Sequence, residues 1–231
     1  MNLIKNILFY IRFVLFRNYR EKKLIKIFSQ EIKKLFYKDN TSYRILDFGS
    51  GMQPIIICDL IKLLNNNDKN ITFYADCYDF YDEKKLNILN LSNKNINFFH
   101  LNNLNLKNKY DLSLIIDVLH HIDMTTLDKH KKILSDIKLI SSYIFIKDHF
   151  QYSLISNFIL RLMDFVGNFH NNVFLPKIYF TEKIFLRFID ECKIKEIKRI
   201  TNQKFYRFYW FFFSNPKLHF ISILESKKND Q

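Results

Sequence analysis

Glycine and cysteine are both scarce in this chain, which has three of each in 231 residues. The cysteines, Cys58, Cys77 and Cys192, are odd in number and widely spaced, which is typical of a protein from a reducing, cytoplasmic compartment. The sequence contains no Cys-x-x-Cys pair and no cluster of cysteine with histidine, so a cysteine-based zinc site is excluded.

The apolar segment at the N-terminus is too short and too interrupted to cross a membrane. It runs from Leu3 to Phe16 and is broken by Lys5, Asn6 and Arg12, and no small-residue cleavage site of a signal peptide follows it. Its apolar residues recur at helical spacing: Leu3, Ile4, Ile7, Leu8, Ile11 and Leu15. We therefore expect a helix, and two roles stay open for it: packing on the rest of the protein, or resting on an anionic membrane surface.

The net charge of +13 has two interpretations. A strongly basic protein often binds nucleic acid or an anionic membrane. However, lysine, asparagine, isoleucine, phenylalanine and tyrosine dominate throughout, as expected of an AT-rich genome, and the lysines are spread along the whole chain. Spread-out lysine is the weak form of the basic-patch pattern, so specific binding of nucleic acid is the less favoured interpretation.

The composition and length predict one folded domain over residues 1–231, because 48% of the residues are hydrophobic and 17% are aromatic. Five apolar segments are predicted as strands: 43–48, 71–76, 96–100, 111–117 and 142–147. Helices are predicted over 21–37, after Pro54, and over 153–166 and 181–191, and a closing antiparallel strand pair over 193–200 and 218–226. Alternating strands and helices predict an α/β fold with a mostly parallel sheet and helices on both faces.

Two of the three glycines stand together in the stretch "RILDFGSGMQP", residues 44–54, where the first predicted strand ends. Glycine at such a point lets the backbone turn tightly and approach a ligand without an intervening Cβ. In doubly wound sheets, ligands bind beyond the carboxyl ends of the strands, and the next helix presents N–H groups that favour a carboxylate or phosphate. The sequence therefore predicts a ligand site around Gly49 and Gly51.

Two familiar nucleotide-binding patterns do not fit this loop. The dinucleotide fingerprint requires a third glycine where this chain has Pro54, and the P-loop ending Gly-Lys-Ser/Thr is absent. The remaining pattern, Asp47-x-Gly49-x-Gly51, resembles motif I of the class I S-adenosylmethionine-dependent methyltransferases, with Gln53 where that family often has a further glycine. The resemblance implies a Rossmann-like sheet of seven strands, the last one antiparallel, and S-adenosylmethionine as the cofactor.

The resemblance continues through residues 40–150, the expected cofactor-binding core. It implies that Asp76, taken as the end of the second strand, holds both ribose hydroxyls, and that Cys77 flanks the adenine. The string "DVLHHI" after the fourth strand also looks like small-molecule members of the family. The resemblance thus predicts these cofactor-binding residues: Asp47, Gly49, Ser50, Gly51, Asp76, Cys77, Asn102, Asn103 and Asp117.

For the chemical step we expect a general base if the acceptor is a hydroxyl. Asp148 and His149 are expected just after the fifth strand, on the acceptor side, so His149 is the first candidate for the base and Asp148 a supporting group. His121 is the second candidate, although it and His120 are equally consistent with capping a helix or filling the core. The mechanism requires no metal, and none is predicted.

The acceptor is expected to contact the parts of the chain that resemble the family least. These are the N-terminal helical segment 1–38 and the substrate-side region 151–231, including the stretch 163–172 around Gly167 and the aromatic stretch 205–216. Aromatic side chains suit a small apolar, aromatic or lipid-linked acceptor.

Two other functions stay open. An RNA methyltransferase would fit the basic charge, but the Asn/Asp-Pro-Pro-Tyr/Phe motif of base amino-methylation is absent after the fourth strand. A non-catalytic protein that retains the fold is disfavoured, because Asp47, Gly49, Gly51 and Asp76 are all present.

Overall fold

The computed structural model describes most of the chain, namely residues 18–36, 41–51, 54–67, 70–92, 94–124, 126–168, 174–206 and 215–226. The helix predicted over residues 3–16 lies outside the described residues, as does most of the aromatic stretch 205–216. None of the described helices is long and apolar enough to cross a membrane.

A seven-stranded sheet in the order β3-β2-β1-β4-β5-β7-β6 organises the described part of the chain. Its strands are β1 Ser42–Phe48, β2 Thr72–Asp79, β3 Ile96–His100, β4 Tyr110–Ile116, β5 Ser141–His149, β6 Lys195–Ile200 and β7 His219–Glu225. β7 runs antiparallel to both β5 and β6, and the other pairs are parallel, which confirms the predicted fold class. The strand order reverses between β1 and β4, so the carboxyl ends of these strands flank the crevice where such sheets bind ligands.

The described residues form six α-helices, of which the first precedes β1 and the others lie between strands. They are α1 Asn18–Phe36, α2 Ile55–Asn67, α3 Glu83–Ser92, α4 Asp128–Ile140, α5 Leu154–Asn168 and α6 Glu182–Glu191. α6 shows the local rules clearly: the Thr181 hydroxyl caps it by accepting from the Ile184 N–H at 3.2 Å, and Phe185, Phe188 and Ile189 recur on one buried face.

Both faces of the sheet are covered by helices, as predicted. α1 and α2 contribute Leu24, Phe28, Ile57 and Leu60 to one core, and α4 and α6 contribute Leu134, Ile137, Phe185 and Phe188 to the other. Along β5, Phe145 belongs to the first core, whereas Ile144 and Ile146 belong to the second, following the two-residue period of a strand. A strand buried on both faces is apolar throughout, which explains the apolar runs of the sequence.

The predicted end of the second strand is wrong by three residues, because β2 continues from Asp76 to Asp79. Cys77 and Tyr78 are buried, and they pair with β1 on one side and β3 on the other. A charged residue inside a buried strand is unusual, so Asp76 was mistaken for the end of the strand.

The ends of β4 and β5 also differ from the prediction. β4 ends at Ile116, one residue before the predicted end. Leu119–His121 of "VLHHI" form a 3₁₀ turn, and the following helix begins at Asp128. β5 continues through Asp148 and His149, which pair with Phe220 and His219 of β7. Both residues are therefore part of the sheet and do not lie in a loop after it.

Candidate active site

The glycine loop, residues 49–51, connects β1 to α2 at the switch in strand order. Gly49 and Gly51 both have φ of +75°, a conformation that side chains disfavour. The Gly49 N–H donates to the Tyr78 carbonyl at 2.8 Å, and a Cβ on Gly49 would collide with the side chain of Val118, which follows β4. Gly49 is therefore required by the packing of the protein itself.

Gly51 is in a different situation, because a Cβ built on it would meet no atom of the described residues within 4 Å, its own chain neighbours aside. Its N–H donates to Asp79 Oδ2 at 2.6 Å, and its carbonyl accepts from the Tyr81 hydroxyl at 2.9 Å. The Ser50 hydroxyl lies 2.6 Å from the same tyrosine oxygen. Asp79 at the end of β2, with Tyr81 just after it, thus holds the loop in place, and the described residues leave space beside Gly51. We call residues 49–51 the cradle.

Asp76 does not lie at this cradle. Its carboxylate accepts from Arg44 Nη2 at 2.6 Å, Asn97 Nδ2 at 2.9 Å and the Tyr110 hydroxyl at 3.0 Å, and the residue is 5% exposed. The structure places Asp79 there instead, at the carboxyl end of β2 and in direct contact with Gly51. Asp79 is not among the residues predicted from the sequence. The string "DCYD" contains both carboxylates, and the strand continues from the first to the second.

Of the other predicted cofactor-binding residues, some are exposed at the edge of the sheet and others are buried in the core. Asn102 and Asn103 are exposed on the 3₁₀ turn that follows β3, at the same edge as Asp79. Cys77 lies in the core beneath α1 and α2 and is fully buried, so its predicted contact with adenine does not fit its position. Asp47 is also buried, and burial, followed by the nearby Asp79 charge, raises its pKa to about 7.

Asp117 lies just past β4, with φ of 54°, between two cations. Its carboxylate forms ion pairs with Arg20 of α1 and Lys147 of β5. Lys147 has no exposed side-chain surface, and burial, with the Arg20 charge adding to it, lowers its pKa well below the usual range. These contacts fix the start of α1 to the carboxyl end of β4.

His149 is enclosed in this part of the structure, with 5% of its surface exposed. Its Nε2 lies 3.3 Å from Lys147 Nζ and its Nδ1 lies 3.7 Å from Asp117 Oδ1. Burial and the neighbouring Lys147 charge lower the His149 pKa to about 3. A histidine with so low a pKa is neutral but weakly basic, so these surroundings do not favour the predicted role as a general base.

Asp148, which precedes His149 on β5, contacts His120, whose ring centroid lies 5.0 Å from that of His149. Its Oδ1 accepts from His120 Nδ1 at 2.6 Å, and Asp164 of α5 lies 3.4 Å from His120 Nε2. Burial opposes a charge on His120, but the two carboxylates outweigh it and raise the His120 pKa to about 9. The Tyr179 hydroxyl in turn donates to Asp164. Sequence analysis missed Asp164 and Tyr179, which no local pattern connects to His120.

His121 is the most accessible member of this group. It is half-buried on the turn after β4, and its Nδ1 donates to the Phe174 carbonyl at 2.9 Å. Burial and the neighbouring His120 lower its pKa, so it is neutral near pH 7. The base role predicted for His121 stays a prediction.

Comparisons with known proteins show that this fold is similar to those of methyltransferases. No family model and no curated protein sequence matches the chain. Among solved structures, the citrinin polyketide synthase CMeT domain matches over 89% of this chain and 52% of its own, with a TM-score of 0.60 and 10% identity. The plantazolicin methyltransferase in complex with SAH matches over 92% of this chain and 86% of its own, with a TM-score of 0.55 and 14% identity.

A third structure carries an acceptor as well as a cofactor product. The 1,6-didemethyltoxoflavin-N1-methyltransferase of Burkholderia thailandensis, with bound 1,6-didemethyltoxoflavin and S-adenosylhomocysteine, matches over 88% of this chain and 78% of its own, with a TM-score of 0.57 and 10% identity. The chain spans about half the length of several matched proteins, 52%, 54% and 46% in three cases. At such identities the likeness concerns the fold, which this chain shares with S-adenosylmethionine-dependent methyltransferases.

Proposed function

We propose that this chain is an S-adenosylmethionine-dependent methyltransferase that acts on a small-molecule acceptor. The observation that carries the proposal is the cradle at Gly51, where the backbone has φ of +75° and, chain neighbours aside, no atom of the described residues lies within 4 Å of a Cβ position. The cradle lies at the switch point of the sheet, beside the carboxylate of Asp79. A small ligand with a ribose and a polar tail fits this combination.

The groups that would hold the cofactor lie on three neighbouring loops. The backbone of residues 49–51 would face the amino-acid part, because glycine lets a ligand approach closely. Asp79 accepts from the N–H groups of Gly51 and Phe80, both at 2.6 Å. A carboxylate has about four lone-pair sites, so two remain for a pair of ribose hydroxyls. The exposed Asn102 and Asn103 would border the adenine.

The cofactor, when bound, supplies an activated methyl group on a sulfonium sulfur. The contribution of the protein is to align an acceptor with that methyl group and to exclude water. The ion pairs of Asp117 with Arg20 and Lys147 serve this alignment, because they join α1, β4 and β5 at one point beside the crevice. We assign no proton transfer to His149, because its pKa is about 3 and its side chain is enclosed.

An apolar or aromatic acceptor is the substrate class that the described surface supports. Phe174, whose carbonyl accepts from His121, is 50% exposed and offers a ring face on the acceptor side. The toxoflavin precursor in the Burkholderia thailandensis enzyme is a small molecule bound by the same fold.

A calorimetric titration with S-adenosylmethionine and S-adenosylhomocysteine tests this proposal. We expect one saturable site for each ligand, and competition between them. Transfer of a labelled methyl group into separate small-molecule, lipid and RNA fractions then identifies the acceptor class. Absence of binding by either ligand would reject the proposal, and label entering only the RNA fraction would replace the acceptor class.

A further inference from the structure

Two histidines and a carboxylate from distant parts of the chain meet beside the acceptor side of the sheet. His120 and His121 lie on the 3₁₀ turn after β4, and Asp164 lies on α5. One ligand atom from each of the three residues lies within 4.8 Å of the other two. We call these three residues the His-His-Asp cluster.

Both histidines of the cluster are oriented by an oxygen on their Nδ1 side. His120 Nδ1 donates to Asp148 at 2.6 Å, and His121 Nδ1 donates to the Phe174 carbonyl at 2.9 Å. This leaves Nε2 of each ring with its lone pair available when the ring is neutral. Metal-binding histidines in proteins almost always donate their second nitrogen to a carboxylate or a carbonyl in this way.

The carboxylate of the cluster is held in the same manner. The Tyr179 hydroxyl donates to Asp164, which fixes the carboxylate against the two rings. Asp164 Oδ2 lies 3.4 Å from His120 Nε2, a nitrogen that makes no hydrogen bond within the described part of the chain. Two ligand atoms, each about 2.1 Å from one ion, are about 3.4 Å apart at a tetrahedral angle, so this separation suits metal coordination.

A second candidate group nearby is less suitable. Asp117, His120 and His149 also place ligand atoms within 4.8 Å of one another. However, Arg20 and Lys147 both contact the Asp117 carboxylate, and Lys147 Nζ lies 3.3 Å from His149 Nε2. The Arg20 guanidinium repels a divalent ion, and Arg20 and Lys147 already contact the Asp117 oxygens that would bind one. Neither of them forms an ion pair with Asp164 among the described contacts.

We propose that His120, His121 and Asp164 bind a divalent transition-metal ion, with Asp148, Tyr179 and the Phe174 carbonyl as the outer groups that orient these ligands. Two imidazoles and one carboxylate suit zinc or ferrous iron better than magnesium or calcium, which prefer oxygen ligands. Asp164 is 9% exposed and His121 is half-buried, so His121 is the most accessible of the three ligands among the described residues. Such an ion occupies His121 Nε2, and therefore excludes the base role predicted for that residue.

The alternative is a purely structural role, in which His120 carries a proton held between Asp148 and Asp164. Proton and metal ion compete for the same Nε2 atom, so the two roles make opposite predictions for metal affinity. Neither depends on S-adenosylmethionine, and the site therefore stands or falls independently of methyl transfer.

The test is a titration of the metal-stripped chain, residues 1–231, with Co²⁺ and Zn²⁺ in the absence of any other ligand. Visible absorption follows Co²⁺, because its spectrum reports nitrogen and oxygen coordination, and calorimetry follows Zn²⁺. We expect one ion per chain. His121→Ala and Asp164→Asn should weaken binding at least about 100-fold, and Tyr179→Phe about 10-fold, the loss typical of an outer-shell partner.

The matched controls are His100→Ala and Asp136→Asn, a histidine and a carboxylate outside the cluster, both of which should keep wild-type affinity. Circular dichroism checks that each variant is folded, and Tyr179→Phe, the mildest change, decides the outcome if the ligand variants misfold. The proposal is overturned if the wild type shows no saturable site. It is equally overturned if the folded cluster variants bind either ion as tightly as the controls.

Discussion

The two edges of the candidate site are built in opposite ways. At the β1–β2 edge, the groups that face a ligand are mostly backbone: residues 49–51 form the cradle, and Asp79 holds it at 2.6 Å. At the β4–β5 edge, buried charged and imidazole side chains contact one another and leave little exposed surface. The structure of the first edge therefore depends on backbone conformation, whereas that of the second depends on contacts among many side chains.

The largest expected effect concerns the two glycines of the first edge. Gly51→Val should abolish S-adenosylmethionine binding and leave the fold intact, because its side chain enters the cradle and its Cβ meets no atom of the described residues beyond its chain neighbours. The unfavourable φ costs about 1–2 kcal/mol of stability. Calorimetry and thermal unfolding measure both properties.

Gly49→Ala is the variant to compare with Gly51→Val, because it distinguishes a loss of stability from a loss of binding. Its Cβ collides with Val118, so we expect a larger loss of stability than in Gly51→Val. If Gly51→Val binds the cofactor normally while folded, the cradle is not the binding site.

The second prediction separates the two carboxylates of β2. Asp79→Ala should weaken S-adenosylmethionine binding about 30- to 1,000-fold, equivalent to about 2–4 kcal/mol for losing charge-assisted hydrogen bonds. Asp76→Ala should instead lower the free energy of unfolding, because Arg44, Asn97 and Tyr110 lose their shared partner. Calorimetry on folded protein compares the affinities, and the reverse pattern would restore Asp76 as the ribose ligand.

The third prediction concerns the pH dependence of stability at the first edge. Burial raises the pKa of Asp47 from 3.8 to about 7, so the folded state binds this proton more tightly than the unfolded state. Its contribution to stability is therefore complete below pH 3.8 and is lost as the pH rises through 7.

Asp47→Asn should remove that loss and stabilise the protein at pH 8 by an amount on the order of 4 kcal/mol, because each pKa unit corresponds to about 1.4 kcal/mol. Urea unfolding at pH 5 and pH 8 measures the difference, with Asp136→Asn, a change at a partly exposed carboxylate, as control. Equal pH dependence in Asp47→Asn and wild type would contradict the assignment.

The smallest expected effect lies at the second edge. His149→Ala should lower turnover by less than about 10-fold, well below the range of about 100- to 10,000-fold for a lost general base. The reason is that the enclosed His149, with a pKa of about 3, is too weak a base near neutral pH. Single-turnover rates measured across pH test this prediction once the acceptor is known. A 100-fold lower rate in His149→Ala, together with loss of the rising part of the pH–rate profile, would restore the base role of His149.

The same contrast explains how much the sequence could predict. The strands and the glycine loop follow from local patterns, namely apolar runs and two adjacent glycines, and the structure confirms the sheet and its antiparallel last strand. The end of β2 was misplaced because Asp76 is neutralised by Arg44, a contact that no local pattern shows.

The second edge was harder to predict because its partners are far apart in the chain. His120 meets Asp148 and Asp164, which are 28 and 44 positions away in the printed numbering. Asp148 and His121 are candidates from the sequence, but their grouping with His120 and Asp164 is not predictable from it, because only the packing of α5 against the turn after β4 brings Asp164 to them. Patterns within one element cannot report contacts between elements.

The position of β7 has a consequence for the order of folding. β7 is the last strand along the described chain, yet it inserts between β5 and β6, and its His219 pairs with His149. During synthesis, β1 to β4 and the glycine loop have all their partners available early, whereas β5 keeps an open edge beside Lys147 until residues 219–225 arrive. Pairing across such sequence distances is slow, and open strand edges invite aggregation. We therefore expect the loop at residues 49–51 to form early in folding, and the buried charged and histidine side chains beside β5 and β7 to be enclosed last.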